Sequence, residues 1–219
     1  MTHIIVILPL LIAAIAFFAG LFHFFFYLIN REHQEEIYYS LACLMVGCYN
    51  IATGLNYAAH DQAAAIFWQT VQVAVVPLET FFANKFVASF LKFKSRLFDR
   101  LNLLMLLLLP VVLFVPGGGF IPERPSHKII FGHKIFEAAA GPLLQAAYVY
   151  VLLMGLWVAV HSFMQWRRGV RYSFVFMCIY IVFLLGGLND SFFIVGFYVL
   201  EYCFIFIIVF MSIIIIILF

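Results

Sequence analysis

Phe67–Phe90, FWQTVQVAVVPLETFFANKFVASF, is the stretch on which the fold turns. It exceeds the roughly 20 residues that a helix needs to cross a bilayer, yet it carries Gln69, Gln72, Glu79, Asn84 and Lys85. At about 100° per residue, Gln69, Gln72 and Glu79 fall within roughly 80° of one another, and Lys85 points nearly the opposite way. A carboxylate at mid-membrane depth costs about 2.5–3.5 kcal/mol on insertion scales. Glu79 is therefore expected to face a protein interior, protonated or partnered, and such a residue is a functional-site candidate. The competing reading is that Glu79 only fastens helices together through hydrogen bonds.

The rest of the chain agrees with a membrane setting. Of 219 residues, 67% are hydrophobic and 10% charged, with a mean hydropathy of +1.13. A soluble domain is about half apolar and a quarter charged, so that class is excluded. A formal charge of +2 without a basic run gives no support for nucleic-acid binding. Cys43, Cys48, Cys178 and Cys203 all lie in apolar runs without C-x-x-C spacing, which reads as free thiols, with neither disulfides nor a metal expected.

Runs of transmembrane length predict seven spans, at roughly 4–29, 38–59, 64–91, 98–116, 138–164, 171–188 and 193–218. The expected fold is all-α: a polytopic membrane protein forming a single seven-transmembrane-helix bundle over residues 1–219. With the N-terminus outside, the cytoplasmic loops hold Arg31, Lys92, Lys94, Arg96, Arg100, Arg167, Arg168 and Arg171, and the outer loops only Arg124, Lys128 and Lys134. The positive-inside rule thus places the N-terminus outside and the C-terminus in the cytoplasm. The long fourth connection, residues 117–137, is rich in glycine, proline and histidine. It reads as a plain connector or as a small hairpin or lid over the bundle.

Polar residues collect in the outer half. Helix 2 ends near Asn56, Tyr57, His60 and Asp61, and helix 3 opens with Trp68, Gln69 and Gln72. Glu137, Gln145 and Tyr148 fall within about 80° of one another if helix 5 contains all three. Asn189 and Asp190 occupy the expected turn before helix 7, with Glu201 two turns further in. Together with Glu79 these could line a ligand cavity open to the outside. The alternative is a set of interfacial aromatics and helix caps. The histidines lack metal-site spacing, and Lys85 is expected to snorkel to the cytoplasmic surface. The last span has no lysine for a retinal Schiff base. No phosphate loop, nucleophile elbow or H-E-x-x-H occurs, so the chain is not expected to be an enzyme and no cofactor is expected.

Several passages carry a resemblance. They are NREHQEEIYYSLACLMVGCYNIATGLNYAA, the FWQ opening of helix 3, VPLETFFANKFVASFL, HSFMQWRRGVRYSF, and the LND…G…LEYCF passage into helix 7. Their order resembles the N-terminal seven-helix sensor region of bacterial histidine kinases and related cyclase-linked signalling proteins, from about Phe22 to Ile213. The resemblance implies a sensory, signal-transducing input module in the bacterial inner membrane. It would sense a ligand or membrane state and relay it through helix 7 to a cytoplasmic output domain, as a homodimer. Trp68 and Gln69 match the FWQ motif, Asn189 and Asp190 the LND motif, and Glu201 the LEY motif. The given sequence ends at Phe219, before any phosphoacceptor region or ATP-binding domain of that family, and reads either as a sensor region cut from a longer protein or as a stand-alone relative that acts through a partner. Two other classes stand beside this reading: an accessory subunit of a larger membrane complex, contacting lipid, pigment or other subunits, and a small transporter or channel using Glu79.

Overall fold

A computed structural model describes residues 2–114, 119–130 and 133–194. Six helices and one hairpin follow in the order α1 (Thr2–Ile29), α2 (Gln34–Tyr57), α3 (Gln62–Phe90), α4 (Arg96–Phe114), β1 (Phe120–Ile130), β2 (His133–Ala140), α5 (Pro142–Arg167) and α6 (Ser173–Ile194). Four of them, Ile5–Ile29 within α1, α2, α3 and α5, are long and apolar enough to cross a membrane. The expected seventh span falls outside the described residues from 195 onward.

Helix boundaries have local causes. α2 starts at Gln34, before the expected 38, because Glu35 and Glu36 sit in its first turn, where acidic side chains favour the helix dipole. Asp61, expected at the end of helix 2, instead caps α3 by accepting from the Ala64 N–H at 2.8 Å. The fifth helix begins at Pro142 and not at 138. Gly141 is extended, and a proline whose fixed φ suits the first helical turn follows it. Residues 138–140 belong to β2. α6 continues through Asn189 and Asp190 to Ile194, where the sequence suggested a turn. With no proline there, each further residue of helix keeps a backbone hydrogen bond that lipid cannot replace.

At the end of α3, Lys92 adopts φ 50°, the left-handed conformation usually given to glycine. The Phe93 N–H there donates back to Ala88 O at 2.8 Å. The equivalent turn between α5 and α6 uses Gly169, φ 93°. A lysine in this conformation costs about 1–2 kcal/mol.

α1 packs on α2, α2 on α3, α3 on α4 and α5 on α6, with sparser contact between α3 and α5. The α1–α2 seam is close. A Cβ on Gly47 would lie 2.9 Å from the Phe17 ring, and the Ser40 hydroxyl donates to Gly20 O at 2.7 Å. The main core joins Tyr39, Phe86, Phe98, Met105, Met154 and Tyr180 from α2 to α6. Large apolar side chains on α1, such as Phe18, Phe25 and Ile29, are exposed, as a lipid-facing helix requires.

The fourth connection is an antiparallel hairpin. Its register slips between Ile121 and Pro125, where Pro122 and Pro125 cannot donate to a ladder. The all-α description therefore needs this two-stranded sheet added beside the helices. Ala138 and Ala140 are buried with Val73, Ala74 and Leu144, and Ile135 packs with Ile5 and Tyr57. The hairpin is thus seated on α1, α2, α3 and α5. Its ends meet where the Gly141 N–H donates to Gly119 O at 2.7 Å.

Candidate functional site

α3 carries polar residues along most of its length, and the structure shows what each one meets. Toward the hairpin, Gln69 is buried and its Oε1 accepts the Ala138 N–H of β2 at 2.9 Å. One turn on, Gln72 Nε2 donates to Thr53 Oγ1 of α2 at 2.7 Å, and that hydroxyl donates to Tyr49 O at 2.9 Å. The i, i+3 spacing of the two glutamines places one against the hairpin and the other against α2.

Pro77 lies at the middle of α3 and has no N–H to donate to the Val73 carbonyl. Glu79 follows within a turn. It is half-buried and has no hydrogen-bond or ion-pair partner among the described residues.

Past Glu79 a buried relay connects three helices. Tyr180 Oη donates to Asn84 Oδ1 at 2.8 Å, Asn84 Nδ2 to Asn102 Oδ1 at 2.9 Å, and Asn102 Nδ2 to Phe81 O at 3.1 Å. Asn84 and Asn102 are fully buried. Beside them Tyr150 Oη donates to Leu101 O at 2.5 Å, tying α5 to α4. Lys85 Nζ meets the exposed Asp99 in the first turn of α4 at 2.6 Å, so the ammonium reaches the surface and is paired there across helices.

The other candidates are scattered. Trp68 is half-buried with its ring edge-on to Phe67 at 5.0 Å. Gln145 is exposed and donates to Ala140 O at 2.9 Å, fastening the start of α5 to β2. Tyr148 packs against the small cluster around Val73. Glu137 lies in β2 opposite Ser126, so it cannot share a helical face with Gln145 and Tyr148. That expectation fails because the helical period does not extend back past Gly141. Asn189 and Asp190 lie in the last turns of α6, and Glu201 is outside the described residues.

The relay was the part missed. Asn84 falls within about 60° of Gln69 at helical spacing, and Asn102 is a lone amide in a leucine run, so both left a signal. Tyr180 left none. Among the described residues no three His, Cys, Asp or Glu side chains gather as metal ligands. Chemically, the arrangement offers hydrogen-bond connection between helices together with one intramembrane carboxyl.

A family model described as "7TM diverse intracellular signalling" matches residues 6–219. Comparison with curated proteins and with solved structures finds no match.

Proposed function

Since the chain belongs to the 7TM diverse intracellular signalling family, we propose that this multi-pass membrane signalling module senses a stimulus on its hairpin side and relays it through the bundle. The observation that carries this reading is the course of α3. One helix is bonded to the hairpin through Gln69 and to α4 and α6 through Asn84, with Pro77 and Glu79 between. A stimulus that moves the hairpin acts on Gln69 first, and the movement reaches α4 and α6 through a helix lacking one central backbone bond. Differential stabilisation of two packings is what such a relay requires.

Within this proposal the chain crosses the bacterial inner membrane seven times with the N-terminus outside. The basic turns then face the cytoplasm, and helix 7 passes the change to an output domain. Trp68, Gln69, Gln72, Glu79, Gln145, Tyr148, Asn189, Asp190 and Glu201 remain candidates for the sensing region, with Glu137 contributing from the hairpin.

Spin labels on Cys substitutions of Arg100 and Arg171, in a background with the native cysteines changed to alanine, test the relay by double electron–electron resonance in nanodiscs. Gln69→Ala, at the opposite end of α3 from the labelled turns, should shift the balance between two distance populations. A single distribution unchanged by Gln69→Ala and by Glu79→Gln rules the relay out.

A further inference from the structure

Asn56, near the end of α2, is only 6% exposed, and its carboxamide oxygen has no hydrogen-bond partner among the described residues. Buried acceptors are nearly always satisfied, and lipid offers no donor in place of a missing one. An empty acceptor at this position therefore needs a cause.

The register of α2 against α3 shows which donor faces it. Tyr39 of α2 meets Phe86 of α3 at 5.1 Å between ring centres, and Thr53 meets Gln72 at 2.7 Å. Going 14 residues along α2, from Tyr39 to Thr53, thus goes 14 residues back along α3, from Phe86 to Gln72. The two helices run antiparallel in one fixed register. Three residues further on, close to one turn, the same register sets Asn56 opposite Gln69. That step rotates each side chain by only about 60°, so both stay on the facing sides of their helices.

Gln69 does not use this partner. Its Oε1 accepts the Ala138 N–H of β2 at 2.9 Å, while Asn56 Oδ1 across from it stays empty. A glutamine carboxamide carries an acceptor oxygen on one side and two N–H donors on the other. The same group that holds the hairpin by its oxygen could satisfy Asn56 by its nitrogen.

We propose that Asn56 is the second seat of the Gln69 side chain, which makes this carboxamide a two-position switch between the hairpin and α2. With β2 seated, Gln69 holds the Ala138 N–H and Asn56 is unpaired. When β2 withdraws, the freed carboxamide turns and Gln69 Nε2 donates to Asn56 Oδ1, a second rung beside the Gln72–Thr53 bond. The empty acceptor disfavours the seated state and is satisfied in the withdrawn one. The two packings are thereby held close in free energy, as a bistable element requires. Asn56 is a positioning residue that acts through Gln69. This inference rests on the reading that α3 reports movement of the hairpin.

The test is hydrogen exchange at the Ala138 amide, followed by NMR on the full chain in nanodiscs. Asn56→Ala removes the second seat and leaves the Gln69–Ala138 bond intact. Withdrawal of β2 becomes rarer, and exchange should slow about threefold, the effect of an average interhelical hydrogen bond in a membrane. Asn56→Leu keeps the volume of the side chain and should slow exchange equally, even where alanine loosens the packing. In a Gln69→Ala background neither substitution should change the rate. A residue that only supports packing gives the opposite sign. Exchange that does not slow in Asn56→Leu overturns the switch, and so does slowing that persists without Gln69. The spin-label distances read the relay separately. Two populations there with no slowing at Ala138 remove the switch alone, whereas slowing at Ala138 beside a single unchanged distribution removes the relay and leaves the switch.

Discussion

The two halves of α3, on either side of Pro77, are bonded in different ways. Toward the hairpin, Gln69 and Gln72 each make a side-chain hydrogen bond to a separate element, and each can break alone. Toward the basic end, Asn84 is shared between Tyr180 and Asn102, and Asn102 in turn bonds Phe81 O, so loss of one member strands the others. Independent latches open one at a time, whereas a buried network opens together or not at all. A helix tied loosely at one end and firmly at the other suits an element that receives movement at the first and transmits it at the second.

The firm end is the place to break the contrast. Asn84→Ala leaves a buried tyrosine hydroxyl and the Asn102 Oδ1 without their partners. It should cost about 2–3 kcal/mol, read as a lower midpoint in denaturant unfolding from micelles. A loss no greater than that of a single latch would show that the relay is no network. Gln69→Ala comes next, at about 1 kcal/mol, and its clearer sign is faster hydrogen exchange at the Ala138 amide with the Asn84 region unchanged. If exchange accelerates equally at both ends, the halves are not independent. Thr53→Val removes the partner of Gln72 and should cost about 0.6 kcal/mol, near the average for an interhelical bond in a membrane. It should add to Gln69→Ala without coupling.

The smallest effect lies outside the bundle. His33 is exposed, and its hydrogen bond with Glu35 at 2.8 Å holds its pKa above the ordinary 6.5. Because the folded value is the raised one, its contribution is fully present below pH 6.5 and fades as pH rises through the raised value. Histidine NMR titration should give His33 a midpoint above 6.5 that Glu35→Gln lowers. An unchanged midpoint would show that the pair does not form.

What was legible in the sequence follows from what is local. Apolar length identified helices, whereas the density of Gly and Pro in residues 117–137 left a plain connector and a hairpin both open, and the structure has the hairpin. The face shared by Gln69 and Gln72 came from helical period alone, and both side chains are buried. The common face of Glu137, Gln145 and Tyr148 failed because Gly141–Pro142 ends one period and begins another. The turn at Asn189 failed because turn-forming residues do not always stop a helix in lipid. The relay was hidden for a different reason. Tyr180 and Asn84 are 96 positions apart, and which amide a tyrosine reaches is decided by packing between helices that no periodicity records.

The hydrogen bond from Gly141 to Gly119 has a consequence for the history of such a chain. It brings the point where the hairpin leaves the bundle beside the point where it returns, so the helices see one closed junction whatever lies beyond it. Lengthening a loop between such neighbouring ends costs little, about 0.6 kcal/mol per doubling. The far end of the hairpin is therefore an exchangeable cassette: its sequence can be replaced or enlarged while Ala138 and Ala140 stay in place as the fitting. A lineage could change the tip of the hairpin without rebuilding the helices beneath it.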